Sequence, residues 1–295
     1  MRRFRPIGGA PATLPRVDRL RARWRMSGLG GALAAAAIVL ALFGAWELYA
    51  DLGPVDPLIL PAPHDVVRAL SCDASPAGGG ARTRCEDRAL LWDDFTVTAG
   101  EVLLGILVAG ASGFACAVAL HLSLALRRSI YPLLVASQTI PIVLVAPLLV
   151  VWLGFGIAPK LAIIGLVSFF PIVVTTLDAL GRVDPELLKL MRTLDAPRLR
   201  VLLHIELPAA LPGVFSGAKV AVAVALIGAV LAEYAGASSG LGNLIQTSIP
   251  QLETARAYAA VVILSAFAIT LFGLLTLAER LLVPWAHTPP GGNSR

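Results

Sequence analysis

Residues 97–122, VTAGEVLLGILVAGASGFACAVALHL, carry one carboxylate, Glu101, and no lysine, arginine or proline. A helix rises roughly 1.5 Å per residue, so about 20 residues of this kind cross the ~30 Å hydrocarbon layer of a bilayer. The run therefore reads as a spanning helix. Similar runs lie on either side of it. LGGALAAAAIVLALFGAWELY (29–49) precedes it, and further apolar stretches occupy about 130–153, 161–177, 218–235 and 257–283. The expected fold is an all-α polytopic membrane protein with six transmembrane helices.

Composition agrees. Of 295 residues, 57% are hydrophobic and 15% charged, with a mean hydropathy of +0.79. A soluble domain carries roughly 25% charged residues, so this chain has too little polar surface to face water. Six spans with their loops also leave no room for a second large soluble domain, which excludes an anchored soluble enzyme. The net charge of +5 comes from 24 basic residues, nearly all Arg. They gather near the ends of spans rather than on an aromatic-laced face, so they read as topology determinants and not as a nucleic-acid surface.

Eight Arg against one acid fill residues 1–28, giving a basic cytoplasmic segment. The stretch after it is longer than a signal-peptide core and lacks a clear cleavage site, so it reads as an uncleaved first helix. The loop 51–96 holds four Arg against eight acids, whereas Arg127 and Arg128 and the cluster from Arg182 to Arg200 fall in alternate loops. Both termini are thus expected in the cytoplasm. The transmembrane region is expected to occupy 29–285, and the end, 286–295, reads as disordered. Cys72 and Cys85 bracket a Gly-rich stretch in the first outer loop, where they are either bridged or unpaired. Cys116 reads as a small buried group.

Chemistry is sparse. There is no GxxxxGK[ST] loop to cradle a phosphate, no HExxH, no GxSxG, and the four His are scattered. No catalytic residue, metal or cofactor is expected. Charges inside the spans are few. Glu47 and Glu101 lie near span ends and Glu233 near the outer end of the fifth, and none has an evident mid-membrane partner. That weighs against an ion-coupled secondary carrier.

The loop 178–217, DALGRVDPELLKLMRTLDAPRLRVLLHIELPAALPGVFSG, is the most informative polar segment. Asp184, Pro185 and Glu186 form a helix start: a capping carboxylate, proline at the first position, an acid at the positive dipole end. Leu187, Leu188, Met191 and Leu194 give that helix one apolar face. After Asp195-Ala196-Pro197 a second short amphipathic helix is expected, ending at IELP (205–208). The apolar faces either pack on the protein's own helix ends or the lipid interface, or dock into a soluble partner.

This segment resembles the coupling loop of binding-protein-dependent ABC importer permeases, EAA, three residues, Gly, nine residues, IxLP. Ile205, Leu207 and Pro208 match its end, and Asp195 takes the Gly position. Lys189, Leu190 and Met191 stand where EAA would be. Asp tolerates a left-handed backbone, so the turn is expected to survive. The resemblance to the nitrate/sulfonate/taurine-type branch extends over about residues 40–285. It runs through LPAPHDVVRAL (60–70), YPLLVASQTIPIVLVAPLLVVWLGFG (131–156), FFPIVVTTLDALGRVDPELLKLMRTL (169–194) and LPAALPGVFSGAKVAVAVALIGAVLAEYAGASSGLGNLI (207–245).

The resemblance implies a homodimeric permease in a prokaryotic inner membrane, two cytoplasmic P-loop ATPase subunits and an extracytoplasmic solute-binding protein. The missing phosphate loop is then the partner's. It implies that Glu186, Lys189, Leu190, Arg192, Thr193 and Asp195 contact or support the ATPase. Polar and proline positions in the central helices, Ser137, Gln138, Pro141, Ser168, Phe169 and Phe170, are candidates for the pathway, or else hold helices together. Glu233 is a candidate for an outer gate or binding-protein contact, or else a plain solvated rim. ASQTIP, VDPELLKLMRTL and ETARAYAAVV look similar to members linked to thiamine-precursor pyrimidine uptake, with sulfonate, taurine or nitrate as the alternative.

Overall fold

The computed structural model describes residues 28–54, 56, 58–71 and 84–287. The basic segment up to residue 27, Cys72, the side chain of Cys85 and the end from residue 288 lie outside the described residues. The chain divides into two compact units, 1–57 and 58–295. The first contains α1 (Gly28–Leu52), 25 residues with no acid in its first turn and no base in its last. It is long and apolar enough to cross a bilayer from Leu33 to Leu52. Phe43 and Trp46 sit one turn apart on it, ring centroids 5.9 Å from each other.

The second unit is a helical bundle. Its elements are α2 (Pro63–Leu70), α3 (Arg84–Leu122), α4 (Leu124–Ser137), α5 (Ile142–Leu153), α6 (Ile157–Gly181), α7 (Pro185–Thr193), α8 (Arg198–Val201), a π turn (Leu202–Glu206), α9 (Leu207–Gly236), α10 (Leu241–Ser248) and α11 (Thr254–Leu282). With α1, five helical stretches are long and apolar enough to span, and the pair α4 and α5 makes a sixth if it counts as one bent span.

At the centre α6 lies between α3 and α9. Gly105 faces Ile164 and Gly113 faces Ile172, so α3 and α6 run parallel. Gly213 faces Ala179, Gly217 faces Thr175 and Gly228 faces Ile164 and Val167, so α9 runs antiparallel to α6. A Cβ at Gly105 or Gly217 would collide with these neighbours. Lipid tails are as apolar as leucine, so close backbone approach and dispersion, not a hydrophobic gain, hold such helices together. Ala109, Ala221, Ala225 and Ala229 continue the small-residue seam, each almost wholly buried. The helices α10 and α11 complete the core against α9 through Leu226, Leu241, Leu244, Ala260 and Leu264. Outward faces keep large apolar groups, among them Leu107 at 68%, Ile269 at 73% and Leu281 at 71% exposed. That surface suits lipid and not water.

Two elements differ from the sequence expectation. The third span, expected over 130–153, is broken. α4 stops at Ser137, and Gln138, Thr139 and Ile140 each donate a backbone bond only three residues back. Then α5 leaves at 99°. Pro141 is the cause: it offers no N–H, and its ring drives Ile140 out of the helical region.

The second difference is at IELP, which does not end a helix. The chain is helical from Arg198 to Gly236. Pro208 would clash with the carbonyl of residue 204 in a regular helix. The π turn absorbs this, with the Leu207 N–H reaching back five residues to the Leu202 carbonyl.

Candidate functional site

The segment 182–206 is built much as a helix-capping argument requires. Asp184 Oδ1 accepts a 2.8 Å bond from the Glu186 N–H, and Pro185 occupies the first helical position. The turn after α7 is made at Asp195, whose φ is +49°. There the Asp195 N–H donates to the Arg192 carbonyl and the Ala196 N–H to the Met191 carbonyl, each at 3.1 Å. This pair of bonds is a Schellman turn, usually closed by glycine. An aspartate costs about 1 kcal/mol more in that backbone state. Glu186, Lys189, Leu190, Arg192, Thr193 and Asp195 are all exposed. So are Leu187, Leu194 and Leu199, which gives the segment an apolar stripe that none of the described residues covers. Ile205, Leu207 and Pro208 are half-buried at the foot of α9.

Ser137, Gln138 and Pro141 are brought together, exposed, at the break between α4 and α5. Ser137 Oγ donates back to the Leu134 carbonyl at 2.7 Å. Ser168 does not join them. It is fully buried, and its hydroxyl donates across to the Ala221 carbonyl of α9 at 3.4 Å. Phe169 packs on Ala117, Leu120 and Val173, and Phe170 is half-buried beside it in sequence. A separate cleft of about 410 Å³ opens between α6 and α9, lined by Thr175, Asp178, Arg182, Pro212, Gly213 and Ser216.

Glu233, read from sequence as an outer-gate residue or a solvated rim, is instead fully buried. Thr98 Oγ1 donates to its Oε1 at 2.6 Å, and the Gly242 and Asn243 N–H groups donate to its Oε2 at 2.5 and 3.4 Å. Thr98 Oγ1 also accepts from the Leu241 N–H at 2.9 Å, and Asp94 Oδ1 accepts from the Gly240 N–H at 2.8 Å. The start of α10 is thus capped by side chains of α9 and α3. Gly240, at φ +117°, is where the chain turns in, and Glu233 occupies the space a Cβ would need.

Several polar residues that organise the bundle had no partner legible in the sequence. Lys160 is buried and bonds Glu101 Oε1 at 2.5 Å, joining α6 to α3. Lys219 of α9 pairs with Glu279 of α11. Glu206, 1% exposed, accepts from His121 Nε2 at 3.0 Å, with Arg198 Nη1 3.7 Å from its other oxygen. The available signal was an isolated charge in an apolar run, which marks a paired or functional residue without naming its partner.

Residues 102–286 match the family described as binding-protein-dependent transport system inner membrane component. The chain belongs to this family. It is a permease of the ABC importer class, an inner-membrane subunit whose systems include an ATPase and a solute-binding protein. A probable ABC transporter permease of Haemophilus influenzae is 35% identical over 80% of this chain and 90% of its own length. The formylaminopyrimidine transport permease ThiX of Halalkalibacterium halodurans is 30% identical over 83% and 93%. The taurine transport permease TauC of Escherichia coli is 28% identical over 90% and 94%. Among solved structures, an amino acid ABC transporter has the same fold, with TM-score 0.54 at 16% identity over 66% of this chain and 95% of that one.

Proposed function

We propose that the chain, as two copies, forms the membrane pathway of an importer driven by two cytoplasmic ATPase subunits, with both of its own termini in the cytoplasm and no catalytic group of its own. The observation that carries this reading is α7. It is an exposed helix with a leucine stripe, fixed at one end by Asp184 and Pro185 and at the other by the Asp195 turn. A short helix with an uncovered apolar face suits docking in a groove of a soluble partner. In this reading Glu186, Lys189, Leu190, Arg192, Thr193 and Asp195 meet or support the ATPase. The break at Ser137, Gln138 and Pro141 lines the pathway, because backbone freed from a helix within a bilayer needs a protein-lined or aqueous surface. Ser168, Phe169 and Glu233 act as packing and bracing groups.

The solute is proposed to be a thiamine-precursor pyrimidine, on the similarity to the formylaminopyrimidine permease. The taurine permease supports a second reading, a small sulfonate. Proteoliposomes holding the permease, its ATPase and its binding protein decide the class. ATP-dependent uptake of a formylaminopyrimidine, with taurine excluded, is expected. Uptake that persists without the ATPase points to a secondary carrier instead. Leu190→Asp puts an unpaired charge into the docking groove. It is expected to abolish uptake while the permease still inserts and purifies, and wild-type uptake by that variant removes α7 from the coupling role.

A further inference from the structure

We propose that Glu206 is a positioning residue for energy coupling. Its buried carboxylate, held by His121 and Arg198, ties the start of the 198–236 helix to the end of α3, so that movement of α7 is delivered to both spans together. The inference rests on the proposed role of α7.

The path from α7 to the bundle is short. After the turn at Asp195 and the extended Pro197, the chain is helical without interruption from Arg198 to Gly236. A displacement of α7 therefore acts on α9 through its first two turns. Those turns are seated on apolar neighbours: Leu202 and Ala210 pack with Leu180, against partly buried Val118, Ala179 and Leu207. Apolar contact is non-directional and permits sliding. Charge-assisted hydrogen bonds are directional and fix register. Glu206 supplies the second kind of contact, and it lies in the turn that absorbs the proline clash.

The energetics make an incidental pairing a poor explanation. A carboxylate with 1% exposure costs several kcal/mol to desolvate unless partners compensate. The compensating groups come from two places, His121 in the last turn of α3 and Arg198 at the first position of α8. One carboxylate thus bridges the exposed segment's exit and a second spanning helix. The π turn belongs to the same joint, since the wider turn carries Glu206 where its carboxylate meets His121.

The test uses the reconstituted complex of permease, ATPase and binding protein. The readouts are co-purification of the ATPase, basal ATP hydrolysis, and stimulation of hydrolysis by solute-loaded binding protein. Glu206→Gln keeps the volume and removes the charge. It is expected to assemble and hydrolyse ATP at the basal rate, with stimulation reduced about fivefold or more, the low end of typical coupling between sites. Glu206→Asp keeps the charge facing both partners and is expected to recover part of the stimulation, whereas His121→Ala, which removes the tie to α3 and leaves Arg198 in place, is expected to lose it as Glu206→Gln does. A role in stability alone moves co-purification and stimulation together.

Wild-type stimulation in Glu206→Gln overturns the inference. If Glu206→Gln fails to assemble, His121→Ala decides, and a His121→Ala variant that assembles with wild-type stimulation also overturns it. Leu190→Asp, run in parallel, separates the two levels. Normal stimulation there removes the proposed role of α7, while loss there with normal stimulation in Glu206→Gln removes only the joint.

Discussion

Glu233 accepts from three donors, Thr98, Gly242 and Asn243, and has no exposed surface, although nothing beside it in the sequence can pair with it. Its carboxylate does for α10 what a capping residue does for an ordinary helix, satisfying N–H groups that have no intrahelical acceptor. Removing it strands those donors. Glu233→Ala is expected to destabilise the detergent-solubilised protein by about 1–3 kcal/mol for each donor left unpaired. Glu233→Gln, which keeps one acceptor oxygen, should lose less. Thermal unfolding followed by a thiol-reactive or intrinsic fluorescence probe orders the variants, and an alanine variant as stable as wild type contradicts the bracing role. Lys160 with Glu101 follows the same logic, as one buried pair between α6 and α3.

At the scale of elements, the contact of α9 with α6 depends on side chains that are missing. Gly213, Gly217 and Gly228 let the backbones approach, and Ser168 adds one hydrogen bond across the seam. Gly217→Val is expected to cost about 1–3 kcal/mol by forcing the helices apart. Gly110→Val on α3 enters open space and should stay within about 0.5 kcal/mol. Comparing the two by unfolding in the same detergent separates helix packing from a general penalty for valine. The break between α4 and α5 is set by a different device. Pro141 removes one donor and one conformation, and the chain answers with three successive short turns before starting again at a new angle.

Among the described residues, both apolar and polar surface lies uncovered, which suits the proposed assembly of two copies. Trp152, Val151 and Phe155 around the end of α5 are each more than 70% exposed, and the polar break at 138–141 opens outward from the bundle. Lipid suits the first group but not the second. Native mass spectrometry of the purified complex is expected to give two permease copies and two ATPase subunits, and a single permease copy with full transport activity rules out the proposed dimer.

The sequence by itself determined whatever repeats along the chain or closes within a few residues. Apolar runs of spanning length, the Asp184-Pro185 start and the turn at Asp195 are all of this kind, and the family resemblance rests on the stretches 60–70, 131–156, 169–194 and 207–245. Only the tertiary structure decided which polar groups meet. Glu233 and Thr98 are 135 residues apart, His121 and Glu206 are 85, and Lys160 and Glu101 are 59. It also decided that IELP continues a helix through a π turn, and that the third apolar run bends by 99°. Periodicity reports which face of an element is apolar. A buried charge instead takes its partner from whichever helix lies opposite, and that is fixed when the seam of small residues closes.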